Sequence, residues 1–228
     1  MDLPRSFPAE DAEATIQRTG VYTLEDHVVG NRIEEFSDLR FPIKSPLGLE
    51  FIAQNSFVRK DIRRVLDSTL GRPHLGLIKI YNQILPSDYV FRLHNGSVGE
   101  AFCLLVLLWS PGSIVCFYDG SISQNIEDDP PVSKTWGLLA TPKLRMNRDG
   151  ISENIVDLKG GGLVLSDSRL QFSIVQGYTV MVGFTTKAEL ENWGKMELPY
   201  SDVLKAKVDE LEVGGIHINC AWPTACPK

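Results

Sequence analysis

The stretch that decides the architecture is Ala101-Phe-Cys-Leu-Leu-Val-Leu-Leu-Trp109, then Ser110-Pro-Gly112, then Ser113-Ile-Val-Cys-Phe-Tyr118, closed by Asp119-Gly120. The first run is continuously apolar and bounded by turn residues, which marks a strand buried on both faces. It is too short to span a bilayer. Around it the period stays near two. Leu77–Leu85 reads as a strand, Pro86-Ser-Asp88 as a turn, and Tyr89–His94 alternates, with Tyr89, Phe91 and Leu93 opposite Val90, Arg92 and His94. Further on, Trp136–Leu144 and Ile151–Leu158 are weaker strands. Gly160-Gly-Gly162 turns into Leu163–Ser166, and Phe172–Phe184 is a strand with a bulge or turn at Gly177.

Working outward, helical periodicity appears only toward the ends. Pro8–Gly20 and Val28–Leu39 read as helices, and Val58–Leu70 is the clearest, with Gly71 as its stop. Segments 40–52 and 122–133 carry prolines and read as loops, the second acidic and exposed. Residues 187–195 and 201–211 are short helices, and Gly215–Trp222 a last strand. Short strands with no βα alternation predict a mainly β sandwich or jelly-roll barrel with flanking α-helices. The expected organisation is one domain over 1–228: helical support (1–74), a jelly-roll core (75–184), then C-terminal helices and a short strand (185–228).

Composition removes several functions. A net charge of −6 opposes the concentrated basic face that nucleic acid requires. Arg59, Lys60, Arg63 and Arg64 form the densest basic group and read as a solvated helix face. No secretory signal is evident at the start, no CxxC pair occurs among Cys103, Cys116, Cys220 and Cys226, and a cytoplasmic protein with reduced thiols is expected. There is no GxSxG for a serine hydrolase, and no Lys-Ser/Thr after the glycines for a phosphate loop.

Four passages resemble the phytanoyl-CoA dioxygenase-like branch of the Fe(II)/2-oxoglutarate oxygenases, a family with a cupin-type double-stranded β-helix. A leading helix runs into Thr19-Gly-Val-Tyr-Thr-Leu24. His94-Asn-Gly96 stands where the family has His-x-Asp. Trp109-Ser-Pro-Gly and Tyr118-Asp-Gly-Ser121 match a stretch ending in "GSH", and Gly161–Leu170 matches the strand before the second metal histidine. The resemblance spans roughly residues 9 to 184 and implies a double-stranded β-helix.

The departures fall on the functional positions. An oxygenase iron takes two histidines and a carboxylate. Here Gly96 replaces the acid, and Gln171, Phe172 and Ser173 stand near the second histidine's place. Tyr178–Phe184 has no Arg or Lys to anchor 2-oxoglutarate. A cupin set would need a ligand at Gly96 between His94 and Glu100.

The resemblance would gather His94, Arg169 and Glu100 as catalytic groups near the barrel mouth, with Arg92, Gln171, Tyr118 and Asp119 as substrate contacts. Such a set performs acid–base work or orients a polarised carbonyl without metal or cofactor. Each residue also has a structural reading: His94 as a hydrogen-bonded turn residue, Arg169 paired with Asp167, Glu100 facing water. Three functions stay open. The leading one is a metal-independent barrel that binds a small, largely apolar organic molecule and isomerises or cyclises it in specialised metabolism. The others are an Fe(II)/2-oxoglutarate oxygenase with non-standard ligands (His74 or His217) and a non-catalytic protein-interaction module, in the manner of a homodimer.

Overall fold

Strand alternation sorts the middle of the chain into two sheets. The computed structural model describes residues 3–81, 85–95 and 99–223. In chain order the elements are α1 (Ala9–Thr19), β1 (Val21–Glu25), α2 (His27–Asp38), α3 (Pro46–Asn55), α4 (Lys60–Leu70), β2 (His74–Tyr81), β3 (Tyr89–Arg92), β4 (Cys103–Trp109), β5 (Ser113–Asp119), α5 (Pro130–Trp136), β6 (Leu139–Pro142), β7 (Ser152–Leu158), β8 (Gly162–Asp167), β9 (Phe172–Gln176), β10 (Thr179–Thr185), α6 (Lys187–Leu190), β11 (Met196–Glu197), α7 (Asp202–Val213), β12 (His217–Ile218) and β13 (Cys220–Ala221). Among the described residues one sheet runs β1-β8-β4-β10-β2-β12 and the other β6-β3-β9-β5-β7. All pairings in both are antiparallel except that of β12 with β2. The expected pair of sheets over 75–184 is present, and β1 and β12 extend the first from outside that range.

The two faces of each strand go to different cores. Leu105, Leu107, Trp109 and Met181 point between the sheets, where they meet Phe91, Phe117 and Phe172. Leu104, Val106, Leu108, Val180 and Val182 point outward and are covered by the helices. From α4, Ile62, Val65 and Leu66 are fully buried there, each contributing about 1.5–3 kcal/mol. Cys103 and Cys116 are buried free thiols, and burial raises the pKa of both, as suits packing residues. Cys226 lies outside the described residues. Among the described residues no helix is long and apolar enough to cross a membrane.

Three local expectations are corrected. Residues 46–55 form α3 rather than loop: Ser45 caps it through Gly48 N, and Pro46 occupies its first turn. The segment after β5 is an exposed loop only in part: Asn125 and Glu127 are exposed, but Ile126 is 1% exposed and Asp129 caps α5. Arg59 is not a solvated residue either; it pairs with Asp61 and donates to Arg5 O. Arg63 does reach the surface, pairing with Asp67, and Arg64 pairs with Glu10. The triple glycine has a packing role. A Cβ on Gly30 would sit 2.1 Å from Gly160 O, so α2 lies backbone to backbone on that turn.

Candidate functional site

β3 ends at Arg92, and the chain bends at Leu93 and His94, whose amides both donate to Ser168 O. Ser168 sits in the turn after β8, its own amide donating to Cys103 O. That turn is set by Asp167, which accepts from Arg169 N. The bend brings His94 Nδ1 to 3.0 Å from Ser168 Oγ. On the other side, His94 Nε2 is 3.4 Å from Glu189 Oε1. Glu189 belongs to α6, and its Oε1 also accepts from Trp193 Nε1 at 3.0 Å. Trp193 stacks on the imidazole, with ring centroids 5.4 Å apart, and Phe102 meets it edge-on. Gly76 in β2 makes room for the indole, since a Cβ there would stand 2.4 Å from it.

Desolvation depresses the His94 pKa; the carboxylates of Glu189 and Asp167 oppose that shift, and Arg169 adds to it. The ring is therefore neutral at pH 7. The network assigns the proton to Nε2, facing Glu189, and leaves Nδ1 to accept the Ser168 hydroxyl. A depressed histidine pKa means that the unfolded chain binds protons first as pH falls. Stability is complete above the unfolded value of 6.5 and is lost as pH drops from there through the folded pKa. His74, depressed by desolvation and by His217 and Lys187, acts in the same direction. We expect the urea midpoint to fall between pH 7 and 5, less steeply in His94→Gln. An unchanged slope in that variant would show that His94 is not desolvated.

The other expected site residues divide between two places. Arg169 is bound to Asp167 by paired contacts of 2.9 and 2.7 Å and donates to Gly99 O. With Glu100 it lines a cleft of ≈ 520 Å³ alongside α1 and α4, reached by Glu13 and Ser68. His94 does not line this cleft, although Phe102 touches both His94 and Arg169. Arg92, Gln171 and Tyr118 do not share a chamber with His94. Phe91, Phe117 and Phe172 take the inward positions, so their neighbours project from the outer face of the second sheet. Asp119 closes β5, accepts from Asn154, and has its pKa raised by desolvation.

Sequence reading missed Ser168, Glu189 and Trp193, whose convergence depends on two loop geometries. It also passed over Lys79, the odd cation in the apolar run of β2. Lys79 lies on the inward face with Leu77 and Tyr81, donates to Gly137 O at 2.7 Å, and has its pKa lowered by desolvation. Deeper in, the barrel is packed: Trp109, Phe91, Phe117 and Phe172 are at most 1% exposed.

No protein-family model and no curated protein sequence matches the chain. Solved structures do. Apo HygX from Streptomyces hygroscopicus is 13% identical, with a TM-score of 0.53 over 80% of this chain and 88% of that one. HygX with nickel, 2-oxoglutarate and hygromycin B bound is 16% identical, with a TM-score of 0.52 over 86% and 94%. The epimerase SnoN in complex with Fe3+, alpha ketoglutarate and nogalamycin RO is 12% identical, with a TM-score of 0.53 over 78% and 83%. The fold is a double-stranded β-helix.

That fold invites an iron test of the residues present. Around His94 stand Ser168, Phe102, Trp193 and Glu189, and the Glu189 oxygen facing the imidazole is already engaged by the indole N–H. The inward residues of β9 and the turn before it are Phe172 and Leu170 rather than metal donors. Among the described residues no three His, Cys, Asp or Glu side chains are grouped to hold a metal. Gly96, in the acid's place, lies outside the described residues. The side chains around His94 therefore do not fit a two-histidine, one-carboxylate iron centre.

Proposed function

We propose that this double-stranded β-helix binds a small, largely apolar organic carbonyl compound beside His94 and moves a proton on it without a metal, as in an isomerisation or cyclisation. The observation that supports this most is that His94 lies between Ser168, hydrogen-bonded to Nδ1, and the Glu189 carboxylate, 3.4 Å from Nε2. A neutral imidazole accepts a proton by way of the Ser168 hydroxyl, and the Glu189 carboxylate stabilises the imidazolium as it forms. The same proton returns at a second atom of the substrate, so the reaction is redox-neutral and balanced. Trp193, Phe102 and Leu93 supply apolar walls. Ser168 is 1% exposed and the Trp193 indole is stacked on His94, so entry of a guest beside the imidazole would move that indole. Arg169 holds Asp167 and Glu100 lines the neighbouring cleft; neither takes part in the transfer.

A second reading, a non-catalytic interaction module, is favoured by the packed barrel interior. Ligand-observed NMR with a panel of apolar ketones separates the two. Proton transfer requires guests that bind the wild type and quench Trp193, and whose carbon-bound protons exchange with deuterated solvent. Binding without exchange, or binding equally strong to His94→Ala, favours the module.

A further inference from the structure

The outer face of the second sheet carries a row of buried polar side chains that proton transfer at His94 does not use. Leu139 pairs with Arg92 across β6 and β3, and Phe91 pairs with Phe172, which sets Arg92 beside Gln171. Tyr118 N donates to Gln171 O, so Tyr118 continues the row. Arg92, Gln171 and Tyr118 are each at most 1% exposed. Their cover is the segment from Ser121 to Asp129 together with Met146. Arg92 Nη2 donates to Ile126 O at 2.8 Å and to Asp128. Thr141 also holds Asp128, and Tyr89 holds Asp129. Ser121 Oγ accepts from Gln171 N.

With those bonds made, much of the row's hydrogen-bonding capacity is unused. Arg92 Nε and Nη1 and both amide atoms of Gln171 have no partner, and the Tyr118 hydroxyl, buried beside them, faces Lys143 and Ser173. Leaving one such group buried and unpaired costs about 1–3 kcal/mol. Several side by side would approach the whole stability of a domain, about 5–15 kcal/mol. The inventory is also lopsided. Arg92 offers only N–H donors, the Gln171 amide adds two more, and only Gln171 Oε1 and the Tyr118 oxygen can accept. The complementary guest is planar and rich in acceptors. Asp128 balances the Arg92 charge, and Glu153 balances that of Lys143, which faces the Tyr118 hydroxyl. Donor geometry rather than net charge therefore does the selecting.

We propose that Arg92, Gln171 and Tyr118 form a second binding site, for the carboxylate of a small organic acid, entered by lifting the Ser121–Asp129 segment. The test uses formate and acetate against chloride at matched ionic strength near pH 7. Wild-type protein should show a saturable rise of a few degrees in Tm with the carboxylates beyond that with chloride. Amide exchange within 121–129 should slow at the same time. Gln171→Leu keeps the bulk and deletes the amide, and should abolish both responses. Tyr118→Phe deletes one oxygen and should weaken acetate at least tenfold; it decides the matter if Gln171→Leu does not fold. Equal responses to chloride and acetate would overturn the site, as would protection outside 121–129 or a full response in the folded variants. His94→Ala should respond like wild type, so this result stands apart from the proton-transfer reading.

Discussion

Trp109→Ala is expected to cost about 4 kcal/mol of folding stability, the scale for emptying a large aromatic site in a packed core. In a chain of 228 residues that lowers Tm by roughly 10 °C. Trp109 ends β4, pairs with Thr179 and Gly162, and is fully buried between the sheets with Phe117 and Phe172. Its indole N–H has no partner. Trp109→Phe should therefore cost less than half as much, since it fills most of the space and removes an unsatisfied donor. Chemical denaturation of the three proteins measures this. A loss under about 1 kcal/mol for Trp109→Ala would mean that the interior is a cavity rather than a core, and a ligand chamber would then belong there instead of at the mouth.

His94→Ala is expected to weaken guest binding or proton exchange by about tenfold or more, the usual scale for lost acid–base assistance. Three contacts disappear with the ring: Ser168 Oγ, Glu189 and the stacked Trp193. Some stability goes with them, so thermal unfolding of each variant is the control. Glu189→Gln separates function from structure more cleanly. It retains an acceptor for the Trp193 N–H and removes the charge that favours the imidazolium, so activity should fall while unfolding changes little. If His94→Ala folds and exchanges protons on guests as wild type does, proton transfer lies elsewhere.

The fold was largely legible because strand chemistry is local. The apolar run of β4, the Ser110–Gly112 turn and the helical spacing of α4 each carry their own signal. α3 was hidden because Pro42, Pro46 and Gly48 are read as breakers, whereas Pro46 starts the helix and Gly48 packs against Pro42 O. Ile126 was hidden by its acidic surroundings, although its apolar side chain lies under the cover segment. The site was legible only at His94. Alternation carried past Arg92 places Arg92 and His94 on one face, but β3 stops at Arg92 and the bend turns His94 toward Ser168. The partners of His94 come from the turn after β8 and from α6, and no sequence period links those segments to β3.

Proton transfer without iron is tested most directly by titrating the His94 ring nitrogens, using long-range proton–nitrogen correlation of the histidine side chains with His94→Gln for assignment. The expected result is a midpoint below 6.5, a ring protonated at Nε2 at neutral pH, and signals unmoved by one equivalent of Fe(II) under anaerobic conditions. A midpoint at or above 6.5, or loss of the His94 signals on stoichiometric Fe(II), would contradict it and restore the metal-centre reading.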